Sequence, residues 1–320
     1  MINKLIDNLH PFPDKTLTCF ERPIYAYIRW QGHDPEYLGL STWSFTSNYV
    51  RNYKGIHGLT PMEWIINGAF EIYGIRMDIK CIHDQDDALM QIEEELINRR
   101  PSMVYVDSFY CPWYPSYKKS HINHYVLVVG RNRGGDLVCI DKPSEDSSVK
   151  ILPLVDYFEG RRTGEIIVFS PNLNEMDICK AARVYLKKQI NIMESSGVFE
   201  NIRQYSIDIQ YHLNIQEELE NAHDYRVAAI YTWLKGIATS RNKFAHALVK
   251  CGFASSDNTI YELNEISIEW SNILLQLMLA TDRDVDFNLV SSILLTIADR
   301  EENCFNSIKQ SIARDVYGMY

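Results

Sequence analysis

Cys19, His124 and Asp141 are the residues whose types and settings could together perform nucleophilic catalysis. A thiol is only slightly ionised at neutral pH, and an imidazole that accepts its proton turns it into a nucleophile for thioester or amide carbonyls. A carboxylate then fixes the orientation and the tautomer of that imidazole. These residue types therefore predict a cysteine nucleophile, a histidine acid and base, and an aspartate that orients the histidine.

Cys19 lies where the sequence predicts the start of a helix. Thr18 and Glu21 have the spacing of a capping box, which places the Cys19 sulfur at the positive end of the helix. That position favours the thiolate form of a cysteine. Pro23 follows in the second turn, and because proline lacks an N–H group it leaves the Cys19 carbonyl without its helical partner.

His124 opens a run of β-branched and aromatic residues over 124–130, which predicts a strand. A turn with two glycines at 134 and 135 follows, and then a second strand ends at Asp141. Such a hairpin would bring Asp141 near His124. Two alternatives stay open: His121 is a second candidate for the base, and Asp141 heads an Asp-Lys-Pro-Ser sequence that is equally typical of a turn.

The segment 107–117 carries five aromatic residues and two prolines between two predicted strands. It predicts a rigid, aromatic-walled loop beside His124, which could shape a substrate pocket, although a packed structural loop fits the pattern as well. We predict substrate-binding roles for Asp107, Tyr110 and Tyr117. Cys111 in this loop is a rival nucleophile, but proline follows it directly and no helix start is apparent.

The elements that must position these residues form two regions, with a boundary at 170–172. Before it, helices and strands alternate, which predicts an α+β domain over residues 1–170 with an antiparallel sheet packed with helices. After it, apolar residues recur at spacings of three and four, which predicts an all-α domain over residues 171–320 that covers or completes the substrate site. The predicted helices are 60–74, 84–99, 175–195, 198–219, 223–252, 262–280 and 286–317, and the predicted strands are 76–82, 102–109, 124–130, 137–141, 149–152 and 165–169.

Composition limits the classes of function. The 320 residues carry a formal net charge of −10, which argues against a general nucleic-acid-binding protein. No apolar run approaches the length of a membrane helix, and the first ten residues lack the pattern of a secretion signal, so we expect a cytoplasmic protein without membrane association. The seven cysteines show neither the density of a disulfide framework nor the spacing of a zinc site, and we expect no metal.

Taken together, these features resemble a known family. The early cysteine at a helix start, the aromatic loop, the His124 strand, Asp141 one hairpin later and the helical second half look like the butirosin biosynthesis protein H family. The N-terminal part of that family is similar to papain-like bacteriocin-processing peptidases. The resemblance implies a papain-like domain followed by a helical domain.

The resemblance also implies an acyltransferase of secondary metabolism and antibiotic biosynthesis. Such an enzyme moves an acyl group from an acyl carrier protein thioester to a small-molecule amine, and here Cys19 would carry the acyl group, His124 would act as base and acid, and Asp141 would orient His124. No cofactor would be bound, because the phosphopantetheine thioester arrives on the carrier protein. Two alternatives stay open: a cysteine peptidase or peptide cyclase with the same triad, and a scaffold protein that lacks chemistry.

Overall fold

The computed structural model describes residues 5–14, 16–45, 62–141, 149–171, 176–213, 229–254, 257–279 and 285–317. The chain divides into two compact units. The sheet unit comprises Met1–Pro35 and Ala69–Met176, and the helical unit comprises Glu36–Gly68 and Asp177–Tyr320. The sequence boundary at 170 assigns 36–68 to the first domain, whereas the structure groups this segment with the C-terminal helices.

The sheet unit contains one antiparallel sheet. In its described part, six strands lie in the order β1-β6-β2-β3-β4-β5. β2 and β3 are central strands, and every residue of β2 is buried. The strands are β1 (Ile75–Cys81), β2 (Ser102–Asp107), β3 (Asn123–Arg131), β4 (Leu137–Ile140), β5 (Lys150–Leu152) and β6 (Glu165–Pro171).

Three α-helices belong to the sheet unit, α1 (Glu21–Trp30), α3 (Gln85–Ile97) and α4 (Leu154–Gly160). The division between the two units falls within α2 (Met62–Tyr73). α1 is buried all round over eight consecutive residues, and its Tyr27 ring stacks on Phe169 of β6 with centroids 4.4 Å apart. Asp84 caps α3 by accepting hydrogen bonds from the N–H groups of Asp86 and Asp87. The α+β class with an antiparallel sheet is therefore confirmed.

The predicted strands agree with the structure to within about two residues at most ends, which is the usual scatter of strand and helix boundaries. Sequence reasoning missed α4, because its seven residues are too short for a helical period to stand out. α4 packs closely against β2 and the loop after it. A Cβ added at Gly160 would come within 2.8 Å of Val106 and 3.1 Å of Tyr110, so only glycine fits at this position.

The described C-terminal part of the helical unit contains α5 (Ile178–Ser195), α6 (Val198–His212), α7 (Ala229–Lys250), α8 (Asn258–Leu279) and α9 (Phe287–Tyr317). These helices confirm the predicted helical pattern where the structure describes it. The predicted helical residues 214–219 and 223–228 lie outside the described residues, as do Thr60 and Pro61. Trp43, Phe45 and Trp270 are fully buried in this unit, and Phe45 stacks on Trp270 with centroids 5.7 Å apart.

An ion pair lies at the centre of the helical unit. Arg241 on α7 and Glu301 on α9 are both fully buried, and Arg241 Nε and Nη2 each donate to a different Glu301 oxygen at 2.8 Å. Glu301 also accepts hydrogen bonds from the indole N–H groups of Trp43 and Trp270, each at 2.8 Å. One carboxylate of α9 thus joins α7, α8 and the non-helical segment that carries Trp43.

The burial of Arg241 departs from what the local sequence indicates. The polar run 240–246 has the pattern of a solvated helix face with His246 near its end. His246 is indeed exposed, but Ser240 and Arg241 are buried. The spacing contained a signal, since Ile237, Arg241 and Leu248 recur on one helical face whose other members are apolar. An arginine within such a face requires a buried partner.

Among the described residues, no helix is both long and apolar enough to cross a membrane.

Candidate active site

The site begins at the turn that leads into α1. Thr18 Oγ1 accepts from the Glu21 N–H at 3.1 Å, and Glu21 Oε2 accepts from the Thr18 N–H at 2.9 Å. The predicted capping box is therefore confirmed, although the regular helix starts at Glu21 and Cys19 lies in the turn before it. The reciprocal bonds fix the backbone on both sides of Cys19, so the half-buried thiol has a defined position.

The first N–H groups of a helix have no acceptor within the helix. Here the Thr18 side chain takes the Glu21 N–H and the Thr18 carbonyl takes the Arg22 N–H. In the described part of the chain, the N–H groups of Cys19 and Phe20 donate to no acceptor. Backbone donors without an acceptor at a helix start can stabilise negative charge that develops on a reacting group.

β3 and the end of β4 position His124 and Asp141. His124 is the second residue of β3, and Asp141 directly follows β4. The antiparallel pairing of Leu127 with Ile140 brings the start of one strand towards the end of the other. As a result, His124 Nε2 lies 2.9 Å from Asp141 Oδ2, and each side chain is only 2% exposed.

The Cys19 thiol completes this group. Its sulfur lies 4.0 Å from the carbonyl oxygen of Asn123, the residue before His124, and Cys19 is near enough to contribute to the electrostatics of the His124 ring. Because Asp141 occupies Nε2, Nδ1 is the ring nitrogen that is available to the thiol. The structure thus brings Cys19, His124 and Asp141 together in the order thiol, imidazole, carboxylate.

Electrostatics favour a charged imidazole between two acidic groups. Burial is the largest influence on His124 and opposes its charge, but the Asp141 carboxylate, its hydrogen bond to the ring and the nearby Cys19 side chain together outweigh burial and raise the pKa of His124 to about 10. Burial likewise disfavours the Asp141 carboxylate. The attraction of His124, with hydrogen bonds from His124 and Trp113, nevertheless lowers the pKa of Asp141. The pair is therefore an imidazolium and a carboxylate at neutral pH.

The structure separates the rival candidates from this group. His121 bonds Asp107 through Nδ1 at 2.7 Å, and its ring stacks on Phe109 with centroids 4.4 Å apart. Cys111 is fully buried, and burial raises the pKa of its thiol far above the usual range. Neither residue has the partners that a thiol and imidazole pair requires.

The predicted substrate-binding residues have partners of their own. Asp107 Oδ1 accepts from the N–H groups of Phe109 and Ile122 at 3.0 and 3.1 Å, while Oδ2 pairs with His121 and Arg162. Such bonds tie the two ends of the aromatic loop together. The substrate role of Asp107 remains a prediction.

Tyr110 and Tyr117 surround the ammonium group of Lys118. Its nitrogen lies 4.5 Å from the centre of the Tyr110 ring, 5.2 Å from that of Tyr117 and 3.0 Å from Asp156 Oδ1. This cation fastens the aromatic loop to α4, to which Asp156 belongs. Substrate contacts by the two tyrosines likewise remain a prediction.

Sequence reasoning missed three residues that touch the His124–Asp141 pair. Trp113 Nε1 donates to Asp141 Oδ2 at 2.7 Å, Tyr114 places its ring 4.5 Å from the His124 ring, and Arg22 Nη1 lies 3.9 Å from Asp141 Oδ1. The aromatic composition of the loop predicted aromatic side chains beside His124, but it did not single out Trp113 or Tyr114. No local pattern connects Arg22 to Asp141, because that contact depends on the packing of α1 against β3.

The described residues contain no group of three or more histidine, cysteine, aspartate or glutamate side chains arranged to hold a metal ion.

Comparison with known proteins gives one family match. Residues 33–142 match the family described as butirosin biosynthesis protein H, N-terminal. The matched segment includes His124, Asp141 and the aromatic loop, and it starts after Cys19. No curated protein matches the chain. The resemblance predicted from the sequence is thus confirmed over residues 33–142, where the chain matches the model of the N-terminal part of the butirosin biosynthesis protein H family.

Proposed function

We propose that the protein is a cysteine-dependent acyltransferase with a papain-like catalytic domain. It takes an acyl group from an acyl carrier protein thioester onto Cys19 and passes it to a small-molecule amine, as an enzyme of antibiotic biosynthesis. The observation that carries this proposal is the contact of His124 Nε2 with Asp141, which leaves Nδ1 for the thiol of Cys19. The family match, which includes His124 and Asp141, favours a biosynthetic reaction.

The first half of the reaction forms the acyl-enzyme. With the proton of Cys19 on His124, the thiolate attacks the thioester carbonyl and a carbon–sulfur bond forms. The N–H groups of Cys19 and Phe20 stabilise the oxyanion of the tetrahedral intermediate. The bond to the pantetheine sulfur then breaks, and the imidazolium returns its proton to that leaving thiolate. His124 is neutral at the end of this step.

The second half transfers the acyl group. The acceptor amine attacks the acyl-Cys19 carbonyl, neutral His124 removes a proton from the amine, and the bond to the Cys19 sulfur breaks. The products are an amide and the original thiolate–imidazolium pair. Asp141 balances the positive charge of His124 whenever it forms and keeps Nδ1 directed at the sulfur. No bound cofactor takes part, because the donor's phosphopantetheine belongs to the carrier protein.

Intact-protein mass spectrometry tests the first half. Wild type, Cys19→Ala and Cys81→Ala are incubated with acyl-loaded carrier proteins and with a simple acyl thioester. Cys81 is an exposed cysteine of the same unit and serves as the matched control. We expect an acyl adduct on wild type and Cys81→Ala that is missing from Cys19→Ala. An adduct that persists in Cys19→Ala, or no adduct with any donor, would contradict the proposal.

The fate of the adduct separates transfer from peptidase chemistry. Adding candidate amines to isolated acyl-enzyme should release an amide faster than water releases the free acid. Faster release of free acid with every amine, together with cleavage of peptide substrates, would instead assign the same three residues to a cysteine peptidase.

A further inference from the structure

The carboxylate that faces His124 is held from more than one side. Asp141 Oδ2 accepts from Trp113 Nε1 at 2.7 Å as well as contacting His124 Nε2 at 2.9 Å. Its other oxygen, Oδ1, faces the Arg22 guanidinium at 3.9 Å. The Asp141 side chain is 2% exposed, so water is a poor substitute for these partners.

Trp113 and Tyr114 are consecutive residues of the aromatic loop and contact the two members of the pair separately. Trp113 donates to Asp141, while the Tyr114 ring lies against the His124 ring at an interplanar angle of 52°. Trp113 is half-buried, so its N–H points inward while part of its ring faces outward. The loop therefore fixes the position of the carboxylate and the plane of the imidazole together.

Arg22 joins the same carboxylate to the segment that precedes the nucleophile. Its Nη2 donates to the Leu17 carbonyl at 2.7 Å, one residue before the Thr18 cap, and its Nη1 faces Asp141 Oδ1. The side chain is buried, and its Nε has no partner among the described residues. Arg22 thus keeps the turn that carries Cys19 in register with Asp141.

We propose that Trp113 is a positioning residue that holds Asp141 Oδ2 against His124 Nε2, with Arg22 steadying the second carboxylate oxygen. The proposal deepens the proposed function and rests on it, since it assigns residues outside the triad to the same reaction. Loss of the indole donor lets the carboxylate turn towards other donors. His124 then loses its fixed orientation, and Nδ1 no longer points steadily at Cys19.

Titration is informative here because few groups surround His124. The charged and titratable groups that face it or its carboxylate are Cys19 at the start of α1, Arg22 on α1, Tyr114 and Cys111 in the aromatic loop, Cys139 on β4 and Asp141 after β4. Burial raises the pKa values of the Tyr114, Cys111 and Cys139 side chains, so these three stay neutral while His124 titrates.

The first test measures alkylation of Cys19 by iodoacetamide across pH, read by peptide mass spectrometry. Trp113→Phe removes the N–H donor and keeps an aromatic ring. Trp30→Phe is the matched control, since Trp30 Nε1 also donates to an oxygen of this unit, the Asp7 carbonyl, at 3.1 Å. We expect Trp113→Phe to slow alkylation at pH 7 about tenfold, the effect of weakening one charge-assisted hydrogen bond, and Trp30→Phe to leave it unchanged. Trp113→His, which retains a ring N–H, should restore part of the rate.

The second test uses nitrogen-15 NMR of labelled histidine and tryptophan in the full-length protein. In Trp113→Phe the pH at which His124 loses its proton should fall, because Asp141 no longer stays on Nε2. In wild type the indole N–H signal of Trp113 should move as His124 titrates, a measurement that survives even if the variant fails to fold. Unchanged alkylation and His124 titration in folded Trp113→Phe, or a Trp113 signal that ignores the titration, would overturn the proposal.

Neither test requires an acyl donor. If the protein accepts no acyl group but Trp113→Phe changes both Cys19 alkylation and His124 titration, the proposed function is wrong. Trp113 would still be a positioning residue of a reactive cysteine. A protein that acylates Cys19 but shows neither effect would do the reverse.

Discussion

His124 Nε2 and Asp141 Oδ2 lie 2.9 Å apart, and both side chains are almost completely shielded from solvent. A buried charge of either sign is costly alone, so each residue makes the ionised form of the other acceptable. That mutual dependence distinguishes this contact from the exposed ion pairs of the molecule, whose members are solvated whether they are paired or not.

Replacing Asp141 by asparagine should impair chemistry more than folding. Asparagine keeps the shape of the side chain but cannot balance the imidazolium charge. We expect single-turnover acyl transfer to fall by about 10²–10⁴-fold, as for loss of an oriented acid–base group. The matched control is Asp78→Asn, which alters an exposed carboxylate on β1 that pairs with Arg76. Equal transfer rates in Asp141→Asn and Asp78→Asn would show that Asp141 has no role in the reaction.

The pH dependence of stability should carry the signature of the same pair. The folded-state pKa of His124 is raised to about 10 from an ordinary value near 6.5. The contribution of His124 to the free energy of unfolding is therefore complete below pH 6.5 and is lost as pH rises towards 10. The folded-state pKa of Asp141 is lowered, so its contribution is present above the ordinary value near 3.8 and is lost at more acidic pH.

Thermal unfolding of wild type and His124→Gln, compared from pH 4 to pH 10, checks this expectation. The difference in melting temperature should be largest between about pH 4 and 6.5 and should shrink steadily towards pH 10. A difference that grows above pH 6.5 would mean that His124 is neutral in the folded protein.

Removing the capping box at the nucleophile should affect both stability and reactivity. Thr18→Ala deletes the acceptor of the Glu21 N–H and should destabilise the protein by about 1 kcal/mol. It should also slow Cys19 alkylation, because the turn that carries the thiol loses a fixed end. Asp84→Ala is the matched control, since it removes the cap of α3 in the same unit. Urea unfolding measures the loss of stability in both variants, and alkylation of Cys19 measures the loss of reactivity. Similar alkylation rates in Thr18→Ala and Asp84→Ala would refute the positional role of the Thr18 cap.

The buried ion pair of the helical unit predicts a large loss of stability on single substitution. Arg241→Met leaves Glu301 without its counter-charge and should lower the free energy of unfolding by about 3–5 kcal/mol. The double variant Arg241→Met/Glu301→Met should recover part of this loss, since no uncompensated charge remains. Arg203→Met, which removes a half-exposed arginine paired with Asp299 and Glu302, should cost no more than about 1 kcal/mol. This prediction would be contradicted if denaturant unfolding showed a larger loss of stability in Arg203→Met than in Arg241→Met.

Local patterns predicted most of the sheet unit because the relevant signals lie within a few residues. The capping box at Thr18 and Glu21 spans four positions, and the strand at 124–130 is evident from its β-branched residues. The nearness of His124 and Asp141 followed from a short hairpin. Each of these inferences required only local geometry.

The remainder depends on side chains that meet across the fold. Neither the indole of Trp113 on Asp141 nor the guanidinium of Arg22 beside it follows from spacing, since both contacts cross elements that are distant in the chain. The assignment of 36–68 to the helical unit was missed for the same reason: the burial of Trp43 and Phe45 there depends on packing against distant helices. The burial of Arg241 likewise depends on a partner, Glu301, that lies 60 positions away in the chain.

Glu301 accepts four hydrogen bonds, two from Arg241 and one each from Trp43 and Trp270. Four donors fill the lone pairs of a carboxylate, so no group in the cluster can be exchanged without leaving another unsatisfied. We therefore expect positions 43, 241, 270 and 301 to vary together among related sequences. In an alignment they would appear as a correlated set, detectable without reference to any catalytic residue.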